Sequence, residues 1–218
     1  MNSSELLDLF RDEAEDQAEP YLWPDERVFS YIEDAQTMFC RKTDGISDAT
    51  TSAVTTAAIA VDTDWVDLHP SILKIRSVTR TDTGREIEVL NHEDLPGRGW
   101  RFDGRTGPVK ALVIGIEENK ARVFPTSSEV VDLNLVVFRL PLVPITDAGD
   151  QEFEIPERHH RHLLKWVKHL AYSKQDAETF DKKKALDFKM EFLSYCEEVM
   201  VENRRKRHKN RAVVYGGI

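Results

Sequence analysis

VDLNLVVFRLPLVPITDAGDQEFEIPERHHRHLLKWVKHLA, residues 131–171, changes period halfway along. In its first part Val131, Leu133, Leu135 and Val137 alternate with Asp132, Asn134 and Val136, which predicts a strand over Val131–Leu140. After Pro156, Leu163, Val167, Leu170 and Ala171 fall on one helical stripe, with Leu164 and Trp166 alongside. Proline suits the first turn of a helix, so Pro156 marks where the helix begins. The chain therefore passes from sheet to helix within this stretch.

Upstream, two-residue alternation and β-branched residues hold from about 53 to 145. The expected strands are Thr55–Val61, Trp65–Leu68, Leu73–Thr81, Glu86–Leu90, Trp100–Asp103, Ala111–Glu117 and Ala121–Pro125. Turn residues separate them at Asp82-Thr83-Gly84, Pro96-Gly97-Arg98-Gly99, Glu118-Asn119 and Ser127-Ser128. Short strands joined this way predict an antiparallel β-sandwich or barrel.

Helical period occupies both flanks. Leu6, Leu7, Leu9, Phe10 and Ala14 predict a helix over 3–18, opened by an Asn2/Glu5 capping box and ended by Pro20. A second runs from Pro24-Asp25 to about Thr43, with Val28, Ile32, Ala35 and Phe39 on one face and Phe29 and Met38 beside it; Asp44-Gly45 stops it. A last long helix is expected from about Lys174 to Arg207, on Ala177, Phe180, Phe188, Phe192, Tyr195 and Val199. The β segment is inserted between helices from the two termini.

Charge is unevenly spread. The chain has a net charge of −9, and residues 1–34 alone hold eleven Asp/Glu against Arg11 and Arg27. Residues 201–211, VENRRKRHKNR, hold six Lys/Arg against Glu202. A basic end of this kind serves as a solvated helix terminus, a nucleic-acid contact or a dock for an acidic protein surface. The run has no interleaved aromatics, and the chain as a whole is acidic, unlike most DNA-binding modules. Behind it Val213, Val214 and Tyr215 form an apolar tail suited to a partner groove.

No stretch is long and apolar enough for a membrane span, and the acidic start lacks the apolar core of a secretory signal. Cys40 and Cys196 make neither a disulfide framework nor a zinc site, so a reducing compartment is expected. His159, His160, His162 and His169 cluster in sequence, and His159 and His162 share a helix face. Their cationic context favours an exposed or subunit-facing surface over a metal. Asp62, Asp64 and Asp67 miss calcium-loop spacing and read as a polar strand edge. Gly97, Gly99 and Gly104 miss the dinucleotide fingerprint because residue 102 is Phe; no phosphate loop or nucleophile elbow occurs. The expectation is a protein with no catalytic residues, metal or cofactor.

The chain resembles the portal-adaptor, or head-to-tail connector, proteins of tailed bacteriophages, of the tail tubular protein A type. The resemblance rests on LLDLFRDEAED near the start, YLWPDERVFSYIEDAQTMFCRKTDGI at 21–46 and ILKIRSVTR at 72–80. It continues through LNLVVFRLPL at 133–142, EFEIPERHHRHLLKWVKHLAYSKQDAETFD at 152–181 and the closing YGGI. It covers nearly the whole chain, and one departure is the Ala/Thr-rich TTSAVTTAAIAV at 50–61.

The resemblance implies an α+β fold: a helical bundle from both termini, an inserted antiparallel β-sandwich or barrel, and an extended C-terminal arm. The corresponding division is 1–48, 49–150, 151–203 and 204–218. It also implies a structural virion protein that forms a twelve-fold ring, joins the capsid portal to the tail nozzle and extends the DNA channel without specific DNA binding. Its places would be the head-to-tail interface and, during assembly, the host cytoplasm. The portal would be met by Arg204, Arg205, Lys206, Arg207, Lys209, Arg211, Val213, Val214, Tyr215, Gly216, Gly217 and Ile218. The competing expectation is a nucleic-acid-binding module using the same basic segment.

Overall fold

The structure, a computed structural model, describes residues 1–95, 102–147, 150–174 and 179–207. It divides into a helical unit, residues 1–43 with the chain from 143 onward, and a β unit, residues 44–142.

In the helical unit α1 (Ser3–Glu13) starts at the capping box: Asn2 Oδ1 accepts from the Glu5 amide at 2.8 Å, and Glu5 Oε2 accepts from the Asn2 amide at 2.9 Å. It ends sooner than Pro20 would require. Glu15 turns left-handed (φ 56°), and Asp16 folds back to pair with the buried Arg11. Asp16 also accepts from the amides of Leu22 (2.9 Å) and Trp23 (3.3 Å), so one carboxylate fixes the loop after α1. Arg11 lies over the Tyr21 ring at 3.9 Å and donates to Trp23 O at 2.6 Å.

α2 (Asp25–Lys42) buries Val28, Ile32, Ala35 and Phe39, with Phe29 and Cys40. A 3₁₀ turn, Glu157–His159, leads into α4 (His160–Ser173), and α5 (Lys182–Arg207) follows. α4 is the shared neighbour of α1, α2 and α5. It buries Leu163, Leu164, Trp166, Val167 and Ala171. The Trp23 indole bridges back to it, donating to Ala171 O at 3.1 Å and meeting Phe10 and Tyr172 edge-on.

The β unit begins with Asp44 and Gly45, both left-handed at φ 74° and 81°. A Cβ on Gly45 would lie 2.7 Å from Arg139 O, so only glycine fits. The elements are β1 (Ile46–Asp48), α3 (Ser52–Thr55), β2 (Thr56–Ile59), β3 (Trp65–Asp67), β4 (Ile72–Arg80), β5 (Glu86–Asn91), β6 (Thr106–Gly107), β7 (Ala111–Ile114), β8 (Lys120–Phe124), β9 (Thr126–Ser127) and β10 (Val131–Arg139). β10 organises the sheet. β4 lies on one side of it, and β1 and β2 pair with its two ends. Leu133, Leu135 and Val137 point into the core, with Ile59, Val78 and Leu112. Register shifts at Val136/Val137 and Phe138/Arg139 break the alternation, so Val137, Phe138 and Arg139 are all buried. Arg139 Nε donates to Asp48 Oδ2 at 2.6 Å. Burial pushes the Asp48 carboxyl up, but the Thr50 and Thr51 amides and Arg139 outweigh it and hold it well below the usual carboxylate range.

The expected architecture, a helical bundle from both termini around an antiparallel β-sandwich or barrel, is overturned. The chain is a mixed α/β protein with one curled main sheet and five helices among the described residues. The main sheet follows a single path, β1-β10-β4-β5-β7-β8-β3, with β2 on β10; it is neither two stacked sheets nor a closed ladder among the described residues. β5 pairs parallel with β7, and β6 with β9 in a separate two-stranded sheet. Alternation reports which face a residue takes, not the direction of its neighbour, so parallel pairing escaped the sequence reading. The helices also depart from the expectation, since α3 lies in the β unit and α1, α2 and α5 gather unevenly around α4.

Smaller differences follow. The strand expected at Thr55–Val61 is preceded by α3 and shortened to Thr56–Ile59. The helix expected from Lys174 starts at Lys182, and Phe180 is non-helical and exposed. Of the expected strand Trp100–Asp103, Phe102 and Asp103 are not in a strand, and Trp100 and Arg101, together with Gly97, Gly99 and Ala177, lie outside the described residues.

Candidate docking surface

α5 holds the described part of the basic segment. Its inner stripe buries Ala185, Phe192, Cys196 and Val199. Beyond Val199 the Asn203 amide donates to Thr43 O at 3.4 Å. Arg204, Arg205 and Lys206 then stand exposed in the last turns, and Arg207 is the final helical residue. Cations at this end meet the unpaired carbonyls and negative pole of the helix, which stabilises them there. The first four residues of the expected arm are thus helical. Lys209, Arg211, Val213, Val214, Tyr215, Gly216, Gly217 and Ile218 lie outside the described residues.

The four histidines take roles the sequence did not show. His159 and His160 are buried, which corrects the expectation of an exposed helix surface. The His159 Nδ1 lies 2.7 Å from the Tyr195 hydroxyl, and its Nε2 accepts from Arg158 Nε at 3.1 Å. Burial, then the Arg158 charge, lower its pKa to about 4. His162 stacks flat on the Tyr195 ring at 3.5 Å, and its pKa is lowered by burial. The His160 ring lies between Met1 O (2.9 Å) and Ile155 O (2.8 Å), and His169 Nδ1 faces Ala185 O at 2.8 Å. These rings tie α4 to its neighbours. Among the described residues no group of three His, Cys, Asp or Glu is placed to hold a metal ion.

Asp64 accepts from the Thr126 hydroxyl and pairs with Arg122 at 3.8 Å, while Asp62 occupies a left-handed turn and Asp67 an exposed strand position. Cys40 and Cys196 are free and buried, and burial pushes the Cys196 thiol up to about 12. A thiol of that kind is inert. A hollow of about 150 Å³ in the β unit is lined by Leu68, Ile72, Ile75 and Ile114 with His69 and Lys120. No described helix is long and apolar enough to cross a membrane.

The sequence reading missed a second stripe on α5. Leu186, Met190 and Leu193 repeat at helical spacing outside the buried stripe, and Val201 continues the line two turns further on, past the exposed Glu197; Leu186 is exposed by 55%, Met190 by 60% and Val201 by 44%, and Leu193 is half-buried. The spacing was present in the sequence, but the Phe-rich inner stripe of the same helix dominated it.

A search of curated proteins found no match to the chain. Residues 1–214 match the model of the SU10 adaptor protein family. The match runs through both units and the exposed basic helix end, and the chain belongs to the SU10 adaptor family of phage structural proteins.

Proposed function

We propose that this chain is a ring-forming adaptor that joins the capsid portal to the tail nozzle and extends the DNA channel. Twelve copies make the ring, the role is structural rather than enzymatic, and residues 204–218 meet the portal. The observation that carries this reading is α5, which runs about two turns past Val199, its last deeply buried residue, and presents Arg204, Arg205 and Lys206 to solvent. A helix end with no core to join and a concentrated positive charge is built to steer toward an acidic surface. Copies that each carry −9 repel one another, so the free chain associates only weakly and the portal acts as the template on which the ring closes. The head-to-tail interface is its place in the virion, and the host cytoplasm its place during assembly.

Truncation after Asn203 tests this. Melting stays within the ~0.5 kcal/mol typical of surface changes, because the inner stripe of α5 is untouched. Binding to portal-bearing, tail-less capsids falls by about tenfold or more, and binding of the intact chain weakens as salt rises. Full-affinity docking of the truncated chain overturns the assignment of residues 204–218. Loss of duplex DNA binding with portal docking intact transfers that segment to the nucleic-acid reading.

A further inference from the structure

The second stripe of α5 has a charge pattern that selects its partner. Leu186, Met190, Leu193 and Val201 span about 22 Å of helix. Lys182 and Lys183 stand exposed before the stripe, and Arg204 and Arg205 after it. Charge at the two ends disfavours pairing of two such stripes about a two-fold axis. An antiparallel pairing centred on the stripe sets Lys182 against Arg205 and Lys183 against Arg204, and a parallel one sets each cation against itself. Like charges facing each other oppose both arrangements.

The complementary pattern occurs in the same helical unit. Residues 12–26, DEAEDQAEPYLWPDE, hold seven Asp/Glu and no Lys or Arg; Asp16 and Asp25 pair with Arg11 and Glu13 with Lys168, which leaves Asp12, Glu15, Glu19 and Glu26 as its exposed, outward acids. Within this run Tyr21 is 37% and Leu22 44% exposed, and Glu15, Glu19 and Glu26 are exposed around them. The loop is pre-set by Asp16, which holds the Leu22 and Trp23 amides, so little order must be gained on binding. An apolar pair inside an acidic run matches an apolar stripe between two cationic ends.

We infer that the outer stripe of α5 in one copy docks on the loop between α1 and α2, around Tyr21 and Leu22, of the next copy of this chain. The two patches differ, so the contact is head-to-tail, and its repetition makes a ring or a filament rather than a closed pair. It rests on the ring reading above for its closure, not for the pairing itself.

Sedimentation equilibrium of the full chain at rising concentration tests the contact. The expected result is weak association that continues past the dimer. Leu186→Glu with Met190→Glu lowers the association constant by about tenfold or more without moving the melting temperature, as do Lys182→Glu with Lys183→Glu and Glu15→Lys with Glu19→Lys. An equal mixture of the two charge variants restores association, because each acidic α5 then meets a basic loop and each unchanged α5 meets an unchanged loop. Failure of the mixture, a species that stops at the dimer, or a chain monomeric at every concentration overturns the contact. Portal binding is measured separately on tail-less capsids. Restored association without capsid binding upholds this contact and sinks the adaptor reading, and capsid binding without association does the reverse.

Discussion

α4 and α5 lie side by side, yet they spend their apolar residues differently. α4 has nearly every side enclosed. Even its cations are committed: Lys168 is buried against Glu13 at 2.5 Å, and Lys165 pairs with Glu191 at 2.7 Å. α5 packs one stripe inward and leaves a second one outside. A residue whose polar neighbours are all satisfied within the molecule serves the fold. Apolar residues in register on a solvent face, bounded by charge, serve something outside it.

Substitutions on the two faces of α5 break this contrast if it is wrong. The largest effect is expected at Phe192, fully buried and tilted against Trp166 at 5.0 Å. Phe192→Ala should cost about 3–5 kcal/mol by denaturant unfolding. A cost under 1 kcal/mol would show that the α4–α5 seam is not a core.

A middle-sized effect is expected at His159. His159→Gln disturbs the partner of the Tyr195 hydroxyl and should cost about 1–3 kcal/mol. It should also change the pH profile. Folded His159 stays neutral down to about 4, while the unfolded side chain takes a proton near the ordinary 6.5. The unfolded state therefore binds more protons in between, and the stability this imidazole contributes is complete above about 6.5 and drains as the pH falls toward 4. The Gln variant should show a shallower loss over that window in urea melts at stepped pH. An unchanged slope would remove His159 from the linkage.

The smallest effect sharpens the comparison most. Leu186→Ala with Met190→Ala should leave unfolding free energy within about 0.5 kcal/mol of the parent, because both side chains are already more than half exposed. A cost as large as that of Phe192→Ala would mean that the outer stripe is part of the core.

Much of this was legible from local pattern. The strands around Glu86–Leu90 and Val131–Leu140 and the stripes of α2 and α4 emerge within a residue or two of their expected places, because side-chain period alone decides them. What escaped depends on partners distant in sequence. α1 stops at Glu13 because Arg11 claims Asp16 and, through it, the Leu22 and Trp23 amides. His159 is enclosed because Tyr195 lies opposite on α5. α3 forms in a Thr-rich stretch that favours strand, where the Thr55 and Thr56 hydroxyls donate to Thr51 O (3.0 Å) and Ser52 O (2.6 Å). The basic end of α5 was legible as composition, whereas the exposure of its apolar neighbours needed the packing of α4.

Ile46 pairs with Arg139, so the strand that begins the β unit runs beside the strand that ends it. Arg139 and Asp48 clasp the two strands, and Gly45 closes against Arg139 O. A segment whose two ends emerge side by side can be lifted out of a chain or replaced by another of similar span without stretching what flanks it. The consequence is modularity: residues 44–142 have the geometry of an exchangeable cassette, able to diverge in loops and length while the helices at its borders keep their own register.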